Sequence, residues 1–94
     1  MDKIKRIHAI IHGRVQGVFF RAFIAQKARE LNINGFVRNL PSGVDVEVVA
    51  EGEEKQLEKL IEFIKVGPPS ARVEKVDIKW MDNPGKLSGF EIKY

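Results

Sequence analysis

Residues 13–21 read Gly13-Arg14-Val15-Gln16-Gly17-Val18-Phe19-Phe20-Arg21. An apolar run ends at Gly13 and a helical pattern begins near Phe20, so the stretch connects a strand to a helix. A glycine at each end lets the main chain take positive φ and curl, which turns successive N–H groups toward one concavity. The helix start adds its own unpaired N–H groups and the positive end of its dipole. Arg21 supplies a full charge on a planar fork that matches phosphate or carboxylate. This is the layout of an anion site, and the spacing alone equally suits a plain tight turn with a solvated arginine.

On the N-terminal side, Lys5 to His12 alternates around Ile7, Ala9 and Ile11, which predicts a strand with one buried face. Ile10 falls on the other face, between His8 and His12. On the C-terminal side, Phe20, Ile24, Ala28 and Leu31 recur at helical spacing with Phe23 beside them, while Gln26, Lys27, Arg29 and Glu30 lie off that stripe. Asn and Gly stop signals cluster from Asn32 to Gly35. Phe36 to Leu40 and Val44 to Glu51 are β-rich runs joined by Pro41-Ser42-Gly43, which predicts a hairpin.

A second amphipathic helix follows over Glu53 to Val66, with Leu57, Leu60, Ile61 and Ile64 on one stripe and acidic residues in its first turn, where the helix dipole favours them. Gly67-Pro68-Pro69-Ser70 ends it. Val73, Val76, Ile78 and Trp80 mark another strand, Met81 to Gly89 is a polar loop containing Asn83-Pro84-Gly85, and Phe90, Ile92 and Tyr94 alternate as a short final strand. The pairing of that last strand stays open. The order is βαββαβ plus a short C-terminal strand. Two helices with one apolar stripe each must cover a single face of an antiparallel sheet of four to five strands, so the fold class is α+β, a ferredoxin-like α/β sandwich. The other face is expected to be open, carrying His8, His12, Arg38 and Glu47 without obvious partners.

The 94 residues suffice for one domain, 1–94, with a single modest core. With 44% hydrophobic and 31% charged residues, the composition is that of a soluble globular protein. Cysteine is absent, which removes disulfides, thiol nucleophiles and zinc-thiolate sites. The basic start, Met1-Asp2-Lys3-Ile4-Lys5-Arg6, precedes only a brief apolar stretch broken by His8 and His12, so neither a signal peptide nor a membrane span is expected and the location is cytoplasmic. A net charge of +3 and a pI near 9.3 attract a small anion; with the charges interspersed they do little to argue for nucleic acid. Abundant Lys and Glu with few thermolabile residues predict a thermostable protein.

Few other residues invite chemistry. His8 and His12 are four residues apart on one strand, roughly 13 Å, too far to share a metal ion. Ser42, Ser70 and Ser88 lie in Gly or Pro loops without a paired histidine and acid. Glu53, Glu54, Glu58 and Glu62 read as the solvated edge of the second helix, and nothing asks for a metal or cofactor. Arg14 reads as an exposed side chain at a turn. Arg38 should point to the face opposite that of Asn39 and reads as structural. Asn39 by itself reads as a polar residue at a strand end near a turn.

Residues 13–21 resemble the signature of the acylphosphatase family, Gly-x-Val-Gln-Gly-Val-x-Phe-Arg. A second stretch is similar to another family motif: Gly35-Phe36-Val37-Arg38-Asn39, then the turn Pro41-Ser42-Gly43 and Val44-Asp45-Val46-Glu47. The family usually has Trp where Phe36 stands and an acidic residue before the turn glycine; Phe keeps an aromatic in place and Ser suits a turn as well as Asp. The ending, Phe90, Ile92 and Tyr94, matches too, so the resemblance covers nearly the whole chain.

The resemblance implies a metal-independent, cofactor-free hydrolase that cleaves the carboxyl-phosphate bond of small acylphosphates to carboxylate and inorganic phosphate. It implies Arg21 and Asn39 as catalytic residues, Arg21 binding the phosphoryl group and Asn39 orienting the attacking water. The main-chain amides of Val15, Gln16, Gly17, Val18, Phe19 and Phe20 would bind the substrate, and the loop would also hold a phosphate or sulfate anion. A monomer without nucleic-acid or membrane partners is expected. The alternatives are an RNA-binding ferredoxin-like module, with Phe36 stacking on a base, and an accessory domain that binds an acylphosphate or carbamoyl phosphate without catalysis.

Overall fold

The computed structural model describes residues 3–17, 19–82, 85 and 87–94. Its elements follow the expected order: β1 (Ile4–Arg14), α1 (Phe20–Glu30), β2 (Asn34–Asn39), β3 (Val46–Glu53), α2 (Glu54–Val66), β4 (Arg72–Met81) and β5 (Phe90–Lys93). Alternation along the strands delivers Ile7, Ala9 and Ile11 of β1, Val37 of β2 and Val46, Val48 and Ala50 of β3 to one face, all fully buried. Phe20, Ile24, Ala25 and Ala28 of α1 and Leu57, Leu60, Ile61 and Ile64 of α2 close over them. Each Ile, Leu or Phe buried in this way stabilises the fold by about 1.5–3 kcal/mol.

The five strands form one sheet in the order β4-β1-β3-β2-β5. All pairings are antiparallel except the last. β5 runs parallel to β2, with Gly35 opposite Phe90 and Arg38 opposite Lys93, so the sheet is mixed rather than wholly antiparallel. β4 and β5 lie at opposite edges of the sheet, so the chain after β4 crosses from one edge to the other. Glu51, 3% exposed, helps anchor that crossing: Arg6 Nη2 donates to its Oε1 at 3.0 Å and the Leu87 amide to the same oxygen at 3.2 Å. Of the expected 81–89 loop, residues 83, 84 and 86 lie outside the described residues.

Three local expectations change. β1 continues through Gly13 and Arg14, and Gly13 sits where the β1–β4 register shifts, with φ 132°. A Cβ there would overlap the main-chain oxygen of Arg72, so this glycine serves the close approach of β4 rather than the curl of the loop. At the end of α1 the stop is Asn32, with φ 56°; its amide donates to Arg29 O at 3.2 Å and the Ile33 amide to Ala28 O at 2.9 Å, which satisfies the last carbonyls of the helix. Gly35 belongs to β2 instead.

The third concerns the open sheet face, whose polar residues do have partners. His8 Nε2 lies 2.7 Å from Glu47 Oε2, and Arg38 Nε donates to the other Glu47 oxygen. His12 bridges two carboxylates, Nδ1 at 3.1 Å from Asp45 and Nε2 at 2.9 Å from Asp77. Cross-strand adjacency makes these pairs, and a single-strand reading does not see them.

Candidate active site

The loop between β1 and α1 is pinned at one end and raised at the other. Val15 is buried in the core at 1% exposure, whereas Phe19 is 85% exposed. Gly17 has φ 72° and Phe19 has φ 59°, both left-handed, a conformation that costs a non-glycine residue about 1–2 kcal/mol. Phe19 is the N-cap of α1, makes no side-chain capping bond, and no acidic residue occupies the first turn. Hydrogen bonding of the helix starts with the Phe23 amide on Phe19 O at 3.0 Å. Among the described residues, the amides of Gly17 and Phe19 donate to no main-chain carbonyl, and Phe20, the first residue of the helix, has no intrahelical acceptor for its amide. Unpaired N–H groups at a helix start favour an anion.

Arg21 stands on the first turn of α1. Its Nη1 donates to the Lys93 carbonyl at 2.7 Å, and the guanidinium carbon lies 4.6 Å from the centre of the Tyr94 ring. A cleft of about 290 Å³ opens here, lined by Val15, Gly17, Phe19, Phe20, Arg21 and Ala22 on one side and by Asn39, Ile92 and Tyr94 on the other. Alternation on β2 sends Val37 and Asn39 to the helix side and Arg38 to the open face, where it meets Glu47. Asn39 Oδ1 is buried and has no hydrogen-bond partner among the described residues. Buried polar atoms normally have one, so the hydrogen-bonding capacity of this carboxamide is not met within the described residues. No Asp or Glu side chain is among the described residues that line the cleft.

Of the residues expected at the site, Arg21, Asn39, Val15, Gly17, Phe19 and Phe20 meet at this cleft. Gln16 does not line it; its side chain donates to Asp45 O at 2.8 Å and to Leu40 O at 3.2 Å. Val18 lies outside the described residues. Ser42 is a turn residue whose Oγ accepts from the amides of Val44 and Asp45. Sequence reasoning missed Ala22, Ile92 and Tyr94 as lining residues. The alternation of Phe90, Ile92 and Tyr94 signals a strand, but its place beside β2, which brings Tyr94 to Arg21, has no signal in the sequence.

Electrostatic pairing is concentrated on the open face. The hydrogen bond to Asp77, then that to Asp45, holds His12 above the usual histidine value despite some loss of hydration. The same bond to His12 holds Asp77 below the usual carboxylate value, helped by Lys75. Burial pushes Glu47 upward, but the bonds from His8 and Arg38 together outweigh it and leave the carboxyl lowered. Among the described residues, no three His, Asp or Glu side chains cluster as metal ligands would. Among the described residues, no helix is long and apolar enough to cross a membrane.

The family model described as Acylphosphatase matches residues 7–92. A curated acylphosphatase of Thermococcus kodakarensis is 48% identical over 87 residues, 93% of this chain and 93% of that protein. The crystal structure of acylphosphatase from Bacillus subtilis superposes with a TM-score of 0.92 at 33% identity, over 96% of this chain and 99% of that one. An acylphosphatase structure from Coxiella burnetii gives a TM-score of 0.90 at 40% identity, over 97% and 94% of the two chains. With the loop, the arginine and the asparagine set around one cleft and these relatives matched almost end to end, the chain belongs to the acylphosphatase family.

Proposed function

We propose that residues 1–94 act as one domain that hydrolyses the carboxyl-phosphate bond of small acylphosphates, giving a carboxylate and inorganic phosphate. The observation that carries this is the convergence of Arg21 and Asn39 on one cleft beside unpaired loop amides. A phosphoryl group spreads its charge over several oxygens, so amides from Val15 to Phe20 and one guanidinium neutralise it from several directions. Arg21 binds the phosphate and stabilises charge in the transition state. The Asn39 carboxamide hydrogen-bonds the attacking water and holds it in line with the leaving oxygen.

The leaving group is a carboxylate, which departs without a proton. The proton of the attacking water passes to an oxygen of the bound phosphate, in keeping with a cleft whose described lining has no acidic side chain. On the open sheet face, His8, Arg38 and Glu47 pair with one another, and Lys93 Nζ lies 4.1 Å from the centre of the Phe36 ring. That favours a small-molecule substrate over stacked nucleic-acid bases. The test is incubation with a synthetic acylphosphate in the presence of EDTA: phosphate release well above the spontaneous rate is expected, and release at the spontaneous rate contradicts the proposal.

A further inference from the structure

We propose that the Gln16 side chain is a positioning residue that sets the place of Asn39, an inference that rests on the function proposed above. Gln16 sits between Val15 and Gly17, which both line the cleft, yet its own side chain turns away beneath the β2–β3 turn. Its single carboxamide nitrogen donates to two carbonyls, Asp45 O at 2.8 Å and Leu40 O at 3.2 Å. Those two residues close the turn: the Leu40 amide donates to Asp45 O at 2.9 Å, and the Gly43 amide donates to Leu40 O at 3.1 Å. One NH2 group therefore ties both arms of the hairpin, at their mouth, to the loop that carries the anion-facing amides.

Asn39 needs such support. It is the last paired residue of β2, opposite Val46, and the ladder stops there. Its Oδ1 has no partner among the described residues, so no hydrogen bond to that oxygen holds the side chain and its place depends on the main chain that carries it. Leu40, the next residue, is held by Gln16 and by Asp45. The Gln16 fork thus fixes the distance between the two halves of the site, the loop amides and the water-orienting amide. Misplacement of a catalytic group by about 1 Å costs on the order of 10²-fold in rate.

The test uses Gln16→Met, similar in length without a donor, and Gln16→Leu, apolar and without a donor. Each is made in the wild-type and Asn39→Ala backgrounds, and kcat and KM are measured on a synthetic acylphosphate alongside melting curves. With Asn39 present, kcat falls about tenfold or more while KM stays within about twofold. In the Asn39→Ala background the same changes lower kcat by less than about twofold, because the residue they position is gone. Equal losses in both backgrounds, an unchanged kcat, a loss carried by KM, or variants that do not fold each overturn the proposal, and the hydrolytic function stands. A wild-type protein that does not hydrolyse the acylphosphate overturns both.

Discussion

Arg21 Nη1 donates to the main-chain carbonyl of Lys93 at 2.7 Å, so the first turn of α1 and the end of β5 hold one guanidinium between them. The Tyr94 ring lies 4.6 Å from the guanidinium carbon. A guanidinium has five N–H donors, and the use of one on Lys93 leaves others for an anion. A contact that orients the guanidinium before an anion binds lowers the cost of binding.

Arg21 and Asn39 are expected to fail differently. Arg21→Ala removes charge-assisted hydrogen bonds worth about 1.5–3 kcal/mol each, so KM rises and kcat falls, each by roughly tenfold or more. Asn39→Ala removes one preorganised polar group and lowers kcat on the order of 10²-fold with little change in KM. Steady-state kinetics on a synthetic acylphosphate read both. A similar loss of affinity in the two variants contradicts this division of roles.

Gly13 and Gly17 are both glycines of the motif, but they are required for different reasons. Gly13→Ala drives a Cβ into the Arg72 backbone at φ 132°, and destabilisation by at least about 1–3 kcal/mol is expected. Gly17→Ala meets nothing within 4 Å and has only the strain of φ 72°, about 1–2 kcal/mol. Its effect falls on the loop, so phosphate affinity drops more than the melting temperature. Denaturant titrations and phosphate inhibition constants separate the two, and equal effects on stability contradict the assignment.

Stability should depend on pH through the bridge from Asp45 and Asp77 to His12. The folded pKa of His12 is raised above 6.5, so its contribution is fully present below the unfolded value and is lost as pH rises through the folded one. Asp77 and Glu47 are lowered from 3.8 and 4.5; their contributions are present above those values and lost as pH falls through the folded ones. Stability is therefore highest between the acid loss and the His12 titration. Denaturant midpoints across pH should show the alkaline decline flatten in His12→Asn. An unchanged slope contradicts the role of the bridge.

With a carboxylate leaving group and a phosphate that takes up the water's proton, the hydrolysis rate is expected to be nearly flat with pH near neutrality and unaffected by EDTA. Initial rates across that range, with and without chelator, check this. A steep titration points to a base on the enzyme, and EDTA inhibition to an ion.

Local periodicity made much of the fold legible. The step from β1 alternation to the helical spacing at Phe20 placed the loop, and period two along β2 placed Asn39 on the helix side and Arg38 opposite. What escaped depends on neighbours distant in sequence. Phe90, Ile92 and Tyr94 mark a strand without naming its partner, so Tyr94 beside Arg21 was hidden. Gly13 reads as a loop hinge until Arg72 is seen against it, and His12 reads as unpaired until Asp77 is brought across from β4. Gln16 belongs to the motif, but its bonds to Leu40 and Asp45 span 24 and 29 residues and have no local pattern.

If loop amides and one guanidinium cradle a tetrahedral oxyanion within reach of Asn39, all of them respond to the same bound ion. Titration of 15N-labelled protein with inorganic phosphate, followed by NMR, tests it most directly. The amides of Gly17, Phe19 and Phe20 and the side chains of Arg21 and Asn39 should shift together along one saturating curve, and Arg21→Ala should abolish that response. Shifts that leave those amides unmoved, or a response that survives Arg21→Ala unchanged, contradict it.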